Sequence, residues 1–450
     1  MHRYEAIPMQ PQHIPWVFAL RSTPRNKAAL HGGDMPLEAW EHRCQQSLAH
    51  PNEANFIFCH GSTPVAWLKL EDIHEEVLWI SMLVVDERYQ RQGVGSHAVR
   101  FAERYAVGKG VTKIGIRTTT DNVIAHSCYR KLGYVIVEEG DCTNGDGQIR
   151  RGYSFYKDHI DALSARVDGV PFRLKEAHDF SFLHDLGTVL CVFDAQDSGN
   201  LCFGVRRDNR RFFVKYAGAS TIAYQGETAD AVTRLKNAMQ AYADLRHPNL
   251  VSLVDHYPTN EGYVAVFDWV DGESLRAHWA FSAWEMLHLP QSPNVRFRSL
   301  PVATRLDVAT KIIEFHQHVH SKGYVAVDFY DGSLIYNFAN DTMHICDIDE
   351  YHPAPLVNTM GRMWGSSRFM SPEEYLLGAD IDQRTTVFVM GAMAFYLLGG
   401  TLDRSPEAWQ AGEALHKVAL QACSPHRNAR YSSLAEFAAA WTEALATDGL

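Results

Sequence analysis

An apolar run, Met82-Leu83-Val84-Val85, leads into Gln90-Arg91-Gln92-Gly93-Val94-Gly95 and then a helix-forming stretch, Ser96 to Val107. This order constrains the chain more than any other part of it. A strand that turns through two glycines into a helix builds an α/β unit, and Gly93 and Gly95 leave backbone N–H groups uncovered. The helix that follows offers the positive end of its dipole to an anion. A phosphate can be held there without a cationic side chain. A second strand and the run Asn122 to Tyr134 complete the segment.

Gln90, Gly93 and Gly95 match Q/R-x-x-G-x-G/A, with Val85 ending the preceding strand, and the segment resembles motif A of the GNAT acetyltransferase superfamily. DNVIAHSCYRKLGY, residues 121–134, resembles the closing segment of the same superfamily. The resemblance implies a mixed α/β sheet and an acetyl-CoA site made by Val85, Gln90, Arg91, Gln92, Gly93, Val94 and Gly95. It further implies that Asn122 holds the pantetheine arm and that Tyr129 is the general acid on the departing thiolate. The competing reading of Tyr129 is a half-buried packing tyrosine. Amine attack on a thioester needs a deprotonated amine, an oxyanion donor and a proton for sulfur. Glu71 or Glu75 could draw off the amine proton through water, and the base stays unassigned. A bulge around Leu83 to Val85 is expected to splay two strands and admit the acyl-pantetheine.

At 450 residues the chain exceeds one ordinary core, so two or three domains are expected. Apolar residues make up 46%, yet no window is long and uncharged enough to cross a bilayer, and Val387 to Leu398 fits a buried helix. Met1 to Gln12 lacks a basic start followed by an apolar stretch, so no secretory leader is expected. The eight cysteines show no C-x-x-C pair, which points to reduced thiols and a cytoplasmic protein. Residues 1–157 carry 18 Lys+Arg against 17 Asp+Glu, and residues 158–450 carry 24 against 36, so the negative charge sits in the second part. That balance disfavours nucleic acid and favours cationic partners or metal ions.

After Tyr134 the sequence reads as a hairpin, YVIVEEGD and IRRGYSFY around TNGDGQ, whose Asn-Gly and Asp-Gly supply turn residues. KDHIDALSARVDGVP then reads as a polar connector ending at Gly169 and Pro171. The expected domains are 1–160 and 171–450.

In the second part, NRRFFVKYAG puts Lys215 on an alternating strand, where a buried ammonium must snorkel or meet an anion. LRHPNLVSLVDHY, YVAVFDWVDGESL, SKGYVAVDFYDGSLIYNF, MHICDIDEY and GSSRFMSPEEY follow in order. Together they resemble a bilobal protein kinase, of the serine/threonine type, across its length. The resemblance implies ATP and Mg²⁺, with Lys215 on the phosphates, Asp268 to Val270 as the hinge meeting adenine, and Asp328 as catalytic base. Asp347 takes the metal-binding position, with Asp349 or Ser333 assisting, and Arg430 is the expected buried partner of Glu373.

The departures from that pattern are specific. Only Gly199 stands where a glycine-rich loop belongs, and TRLKNAMQAYADL carries no glutamate for Lys215, leaving it unpaired or reliant on Glu227 or Asp230. The H-R-D triplet is Ala326-Val327-Asp328, the D-F-G triplet is Asp347-Ile348-Asp349, and Tyr330 and Ser333 replace a lysine and an asparagine. Two readings fit, a divergent phosphotransferase or a pseudokinase that binds a nucleotide or partner and regulates the acetyltransferase, and the retention of Lys215, Asp328 and Asp347 at matching positions favours the first. His316, His318 and His320 lack a completing ligand and read as helix residues rather than a metal site, and RRDNRR reads as a solvated turn.

The chain is thus expected to be a two-domain transferase, an acetyl-CoA-dependent N-acetyltransferase fused to an ATP-dependent protein-kinase-like phosphotransferase. Its acceptors are an amine and, for the second domain, a protein substrate. A bifunctional enzyme that acetylates and phosphorylates one polycationic small molecule, as aminoglycoside-modifying enzymes do, would share the layout. Arg21 to Pro36 and His278 to Pro301, the segments expected to select substrates, read as loops.

Overall fold

The computed structural model describes residues 4–30, 35–143 and 148–449. Two compact units emerge, Met1–Ala162 with Phe281–Glu285, and Leu163–Ala280 with Met286–Leu450. Each is taken in turn.

The first unit runs β1 (Glu5–Pro8), α1 (Ile14–Arg21), α2 (Pro24–Leu30), α3 (Leu37–Ala49), β2 (Glu53–His60), β3 (Thr63–Glu71) and β4 (Leu78–Val85). It continues with α4 (Val94–Gly108), β5 (Ile114–Thr119), α5 (Val123–Lys131), β6 (Val135–Thr143) and β7 (Ile149–Lys157). The seven strands form one sheet in the order β1-β2-β3-β4-β5-β7-β6. Every pair is antiparallel except β4 with β5. The expected turn between the last two strands falls on residues 144–147, outside the described residues.

α4 buries Val94, Ala98, Val99, Ala102 and Ala106, a stripe at helical spacing whose alanines let the helix lie close to the sheet. On the opposite face, α1 and α3 supply Val17, Trp40 and Cys44 to a second core against Ile57, Trp67 and Val84.

The β4 bulge lies at Ser81 and not at Leu83 to Val85. Leu70 faces Ile80 while Lys69 faces Met82, so Ser81 is the extra residue. The insertion switches the alternation of the strand. Leu78 and Ile80 before it, and Leu83 and Val85 after it, share the α4 face, whereas Met82 and Val84 face α1 and α3. β4 pairs with β5 only from Leu78 to Ile80, opposite Ile114 to Ile116, and the two strands then part.

In the second unit the expected connector is a hairpin, β8 (Leu163–Val167) with β9 (Val170–Leu174). Asp168 and Gly169, at φ +50° and +83°, make the left-handed two-residue turn that suits paired strands. Phe172 and Leu174 sit against one face of a five-stranded antiparallel sheet and give the hairpin its apolar anchor. After the short α6 (Leu183–Leu186), that sheet comprises β10 (Thr188–Phe193), β11 (Asn200–Arg207), β12 (Arg210–Ala217), β13 (Leu253–Pro258) and β14 (Tyr263–Asp268), in the order β10-β11-β12-β14-β13.

Alternation along β14 serves both faces. Val264 and Val266 join the hairpin side, and Tyr263, Ala265 and Phe267 join the larger core with α7 (Thr228–Asp244). Helix α8 (Ala283–His288) begins in the segment assigned to the first unit, and α9 (Pro293–Arg298), α10 (Val302–Ser321), α11 (Gln383–Leu398), α12 (Glu413–Ala422) and α13 (Leu434–Asp448) follow in the second.

α11 is buried from Thr385 to Leu398, and at Gly391 an added Cβ would meet Ala422 Cβ at 2.8 Å, which fixes how closely α12 approaches. Among the described residues no helix is long and apolar enough to cross a membrane. Two segments expected as loops carry helices instead. α2 lies within 21–36, and α8 and α9 lie within 278–301. Their turns are short and half-polar, so the periodicity is weak in the sequence.

Candidate functional site

The loop after β4 is shaped by left-handed backbone at two positions, Arg91 at φ +59° and Gly93 at φ +88°. Gly93 is the N-cap of α4, which starts at Val94, two residues earlier than the sequence suggests. No side chain caps this helix, so the N–H groups of its first turn have no intrahelical partner and stay available to an anion. Arg91 and Gln92 are exposed, and Gln92 Nε2 donates to the Arg88 carbonyl at 2.8 Å. Val94 is buried and Gly95 lies against Val85, so both offer backbone only.

Gln90 turns inward. Its Nε2 donates to the Val85 carbonyl and to Asn26 Oδ1, both at 3.2 Å, and Asn26 Nδ2 donates to the Leu20 carbonyl at 3.0 Å. Gln90 therefore ties the loop to α1 and α2 rather than reaching outward, and Asn26, 5% exposed, is a positioning residue that the sequence does not flag.

On α5, Asn122 is the N-cap, and its Oδ1 accepts from the Ala125 N–H at 3.3 Å, leaving the amide NH₂ end for a ligand. Tyr129 is buried in the core beside Phe155 and Tyr134, and burial pushes its phenol well above the usual range. Its phenol therefore keeps its proton at neutral pH. Its neighbour Cys128 lies 3.6 Å from Ser96 Oγ, which brings the first turn of α4 against α5 next to Tyr129. Glu71 is held by Lys69 at 2.6 Å and Glu75 is exposed in the turn before β4, so neither is poised as the base.

Replacing Gly93 by Val places a β-branched residue at φ +88° and a side chain over the open N–H groups. An activity loss of about tenfold or more, read as a raised KM for acetyl-CoA with little change in kcat, is expected.

In the second unit, Lys215 lies on β12 and is 7% exposed, and its ammonium is fully engaged. Nζ meets Asp347 Oδ1 at 2.9 Å and Asp349 Oδ1 at 2.8 Å. Tyr242 on α7 donates to Asp349 at 2.9 Å and accepts from the Ile348 N–H at 3.2 Å. Neither Glu227 nor Asp230 is the partner of Lys215, because the tyrosine stands where an acid was sought and the carboxylates come from the segment after Ile345. Burial pushes the Asp347 carboxyl up, Lys215 opposes this, and the adjacent Asp349 adds to it. The doubly paired Lys215 stays protonated.

Lys215, Asp328, Asp347, Asp349, Asp268 and Val270 all line one cavity of about 700 Å³. Asp328 adopts φ +57°, and its carboxylate has no hydrogen bond or ion pair among the described residues. Burial, followed by the like charges of Asp347, Glu350 and Asp197, raises it far above the usual carboxylate range. Asp268 is taken by Arg210 at 2.8 Å.

Ser333 is not a cavity residue. It is fully buried, and its Oγ accepts from the Tyr330 N–H at 3.4 Å, closing a turn where a metal-binding side chain was expected. Among the described residues no group of three or more His, Cys, Asp or Glu side chains is arranged to hold a metal ion. Asp347 and Asp349 are both turned onto the Lys215 ammonium, so in this arrangement they do not present a Mg²⁺ site. His316 is buried between the Ile312 carbonyl and the Tyr351 hydroxyl, as a helix residue should be.

Comparison with known proteins bears on the first unit. Residues 22–134 match the acetyltransferase (GNAT) family model. N-alpha-acetyltransferase 30 of Xenopus laevis is 27% identical over 99 residues, which is 21% of this chain and 32% of that protein. The uncharacterised N-acetyltransferase YesJ of Bacillus subtilis (strain 168) is 28% identical over 92 residues, 20% of this chain and 46% of that one. The chain thus spans less than half the length of either relative. Among solved structures, spermidine N-acetyltransferase from Vibrio cholerae in complex with CoA and spermine aligns at 12% identity and TM-score 0.32, over 35% of this chain and 97% of that one. An acetyltransferase from Thermus thermophilus aligns at 24% identity and TM-score 0.30, over 35% of this chain and 99% of that one. The strand, the glycine-bearing turn and the uncapped helix lie within the matched span, and residues 22–134 form a GNAT acetyltransferase domain.

Proposed function

We propose that the first unit transfers an acetyl group from acetyl-CoA to an amine. The observation that carries this is the parting of β4 from β5 after Ile80 and Ile116, at the strand whose other end feeds the uncapped helix. The first-turn N–H groups of α4 bind the pyrophosphate, and the β4 backbone beyond Ser81, released from β5, is free to align the pantetheine arm. Asn122 offers its amide to the same arm. Tyr129 holds the proton that the sulfur needs on leaving, and its buried phenol keeps that proton until the bond breaks. Acetyl-CoA consumption with a panel of amines, followed by mass shift of the amine, tests the reading. Turnover that is unchanged when amines are withheld would sink it.

We read the second unit as a protein-kinase-like domain whose cavity binds a ligand without transferring phosphate. The double pairing of Lys215 and the sealing of Ser333 support this over phosphotransfer. Incubation with ATP and Mg²⁺ or Mn²⁺ should give no phosphorylated product. Phosphate transfer that disappears in Asp328→Ala would restore the phosphotransferase reading.

A further inference from the structure

We propose that Glu285 is a positioning residue for acetyl transfer, bracing the turn between α5 and β6 and so setting where Tyr129 stands. This rests on the acetyl-transfer reading of the first unit, and it adds a residue from far outside the span 22–134.

Phe281–Glu285 count with the first unit although the chain on either side of them belongs to the second. They carry a capping box, Ser282-Ala283-Trp284-Glu285, at the start of α8. Ser282 Oγ accepts from the Glu285 N–H at 3.1 Å, and Glu285 Oε2 accepts from the Ser282 N–H at 3.0 Å. The box uses one carboxylate oxygen and fixes the direction of the other.

That other oxygen, Oε1, accepts from the Ile136 N–H at 3.0 Å and meets Arg130 Nη2 at 2.6 Å. Arg130 directly follows Tyr129 on α5, and Ile136 lies on β6 beyond the left-handed turn at Gly133. Glu285 therefore grips both arms of one turn. The Tyr129 carbonyl closes the same turn, accepting from the Leu132 N–H at 3.0 Å and the Tyr134 N–H at 3.1 Å. A shift of either arm moves Tyr129.

The edge of the sheet adds a second hold. β6 is the last strand in the order, so the outward backbone groups of Ile136 have no strand beside them. Glu285 takes the N–H, and Ser282 Oγ donates to the carbonyl. Trp284 packs on Tyr153 at 5.5 Å, and Tyr153 in turn packs on His126 of α5 at 5.4 Å. The helix is braced at its middle and at its C-terminal end.

Glu285 is fully buried, where a carboxylate is tolerated only with its oxygens met. Charged hydrogen bonds are directional, whereas apolar packing can slide, so this contact fixes position as well as burying surface. A proton donor needs that precision.

In the full chain, Glu285→Ala should lower kcat for acetyl transfer by about tenfold or more. KM for acetyl-CoA should hardly change, because the open N-terminus of α4 is not touched. Glu285→Gln keeps the length and an acceptor for Ile136, so it should lose less, and it carries the test if the alanine variant does not fold. Acetyl donors with more acidic thiols should recover rate in either variant. With Tyr129→Phe already in place, Glu285→Gln should cost nothing further, since the group it positions is gone. Hydrogen exchange of the α5 amides, which needs no substrate, should quicken in both variants. Unchanged turnover in both, a raised KM at constant kcat, or a loss that multiplies with that of Tyr129→Phe overturns the proposal. Faster α5 exchange in the variants of a protein whose wild type acetylates no amine would sink the acetyl-transfer reading and reduce Glu285 to a structural brace.

Discussion

Tyr129→Phe should lower kcat for acetyl transfer by about 100-fold or more, the range for losing a positioned proton donor. The phenol is buried against Phe155 and Tyr134, so phenylalanine keeps the packing and removes only the O–H. Protein stability and KM for acetyl-CoA should therefore change little. The pH profile separates this role from a packing one. Burial holds the Tyr129 proton well above the range where a free tyrosine loses it, so the wild-type rate should not fall on its account through mild alkali. In the variant, acetyl donors with more acidic thiols should recover rate, because their sulfur leaves without a proton. Equal rates for variant and wild type would return Tyr129 to a core residue.

A second large effect is expected at Arg430. Its Nη1 and Nη2 grip Glu373 at 2.7 and 2.9 Å, with side-chain exposures of 0% and 7%, and Nε donates to the Ser424 carbonyl at 2.8 Å. Arg430→Ala leaves the carboxylate buried and uncompensated, a loss of about 3–5 kcal/mol. Urea denaturation, following the transition of the second unit, measures it. Against the upward push of burial, the arginine holds Glu373 below the ordinary carboxylate range. A lowered folded value means stability that is present above the unfolded value and lost on acidification. In the variant the slope should reverse, with stability rising as the pH falls and Glu373 is protonated. Arg430→Met combined with Glu373→Leu should cost less than Arg430→Ala alone, since no charge is then stranded. An undiminished transition midpoint in Arg430→Ala would refute the account.

The residues that speak most clearly in the sequence are those whose role is local. Gly93 announces a turn and a helix start, because left-handed backbone and an open N-terminus follow from chain geometry. Arg430 and Glu373 match as partners through the order of segments, and they do pair. Where distant elements decide, the sequence is silent. Asn26 gives no sign of reaching Gln90 and Val85 from α2, since a polar residue on a short helix normally faces solvent. The bulge at Ser81 lies ahead of the expected one because apolar residues flank it on both sides and the switch of alternation shows only against β3. Leu163 to Leu174 looks like a connector because its strands alternate with charged residues, and only its burial against β11 and β12 reveals a hairpin. Tyr242 is not legible as a partner of Asp349, because that contact joins α7 to a segment about a hundred residues on.

Lys215 illustrates what such a contact permits. Its ammonium is shared by two carboxylates two positions apart on the same segment, with Tyr242 bracing the second. If an incoming charge draws Asp347 away, Asp349 keeps its grip. Losing one of the two contacts would still leave the lysine paired, and so without the large penalty for isolating a buried cation. The bracing by Tyr242 makes Asp349 the firmer of the two contacts, and the position of Lys215 on β12 does not depend on Asp347 alone.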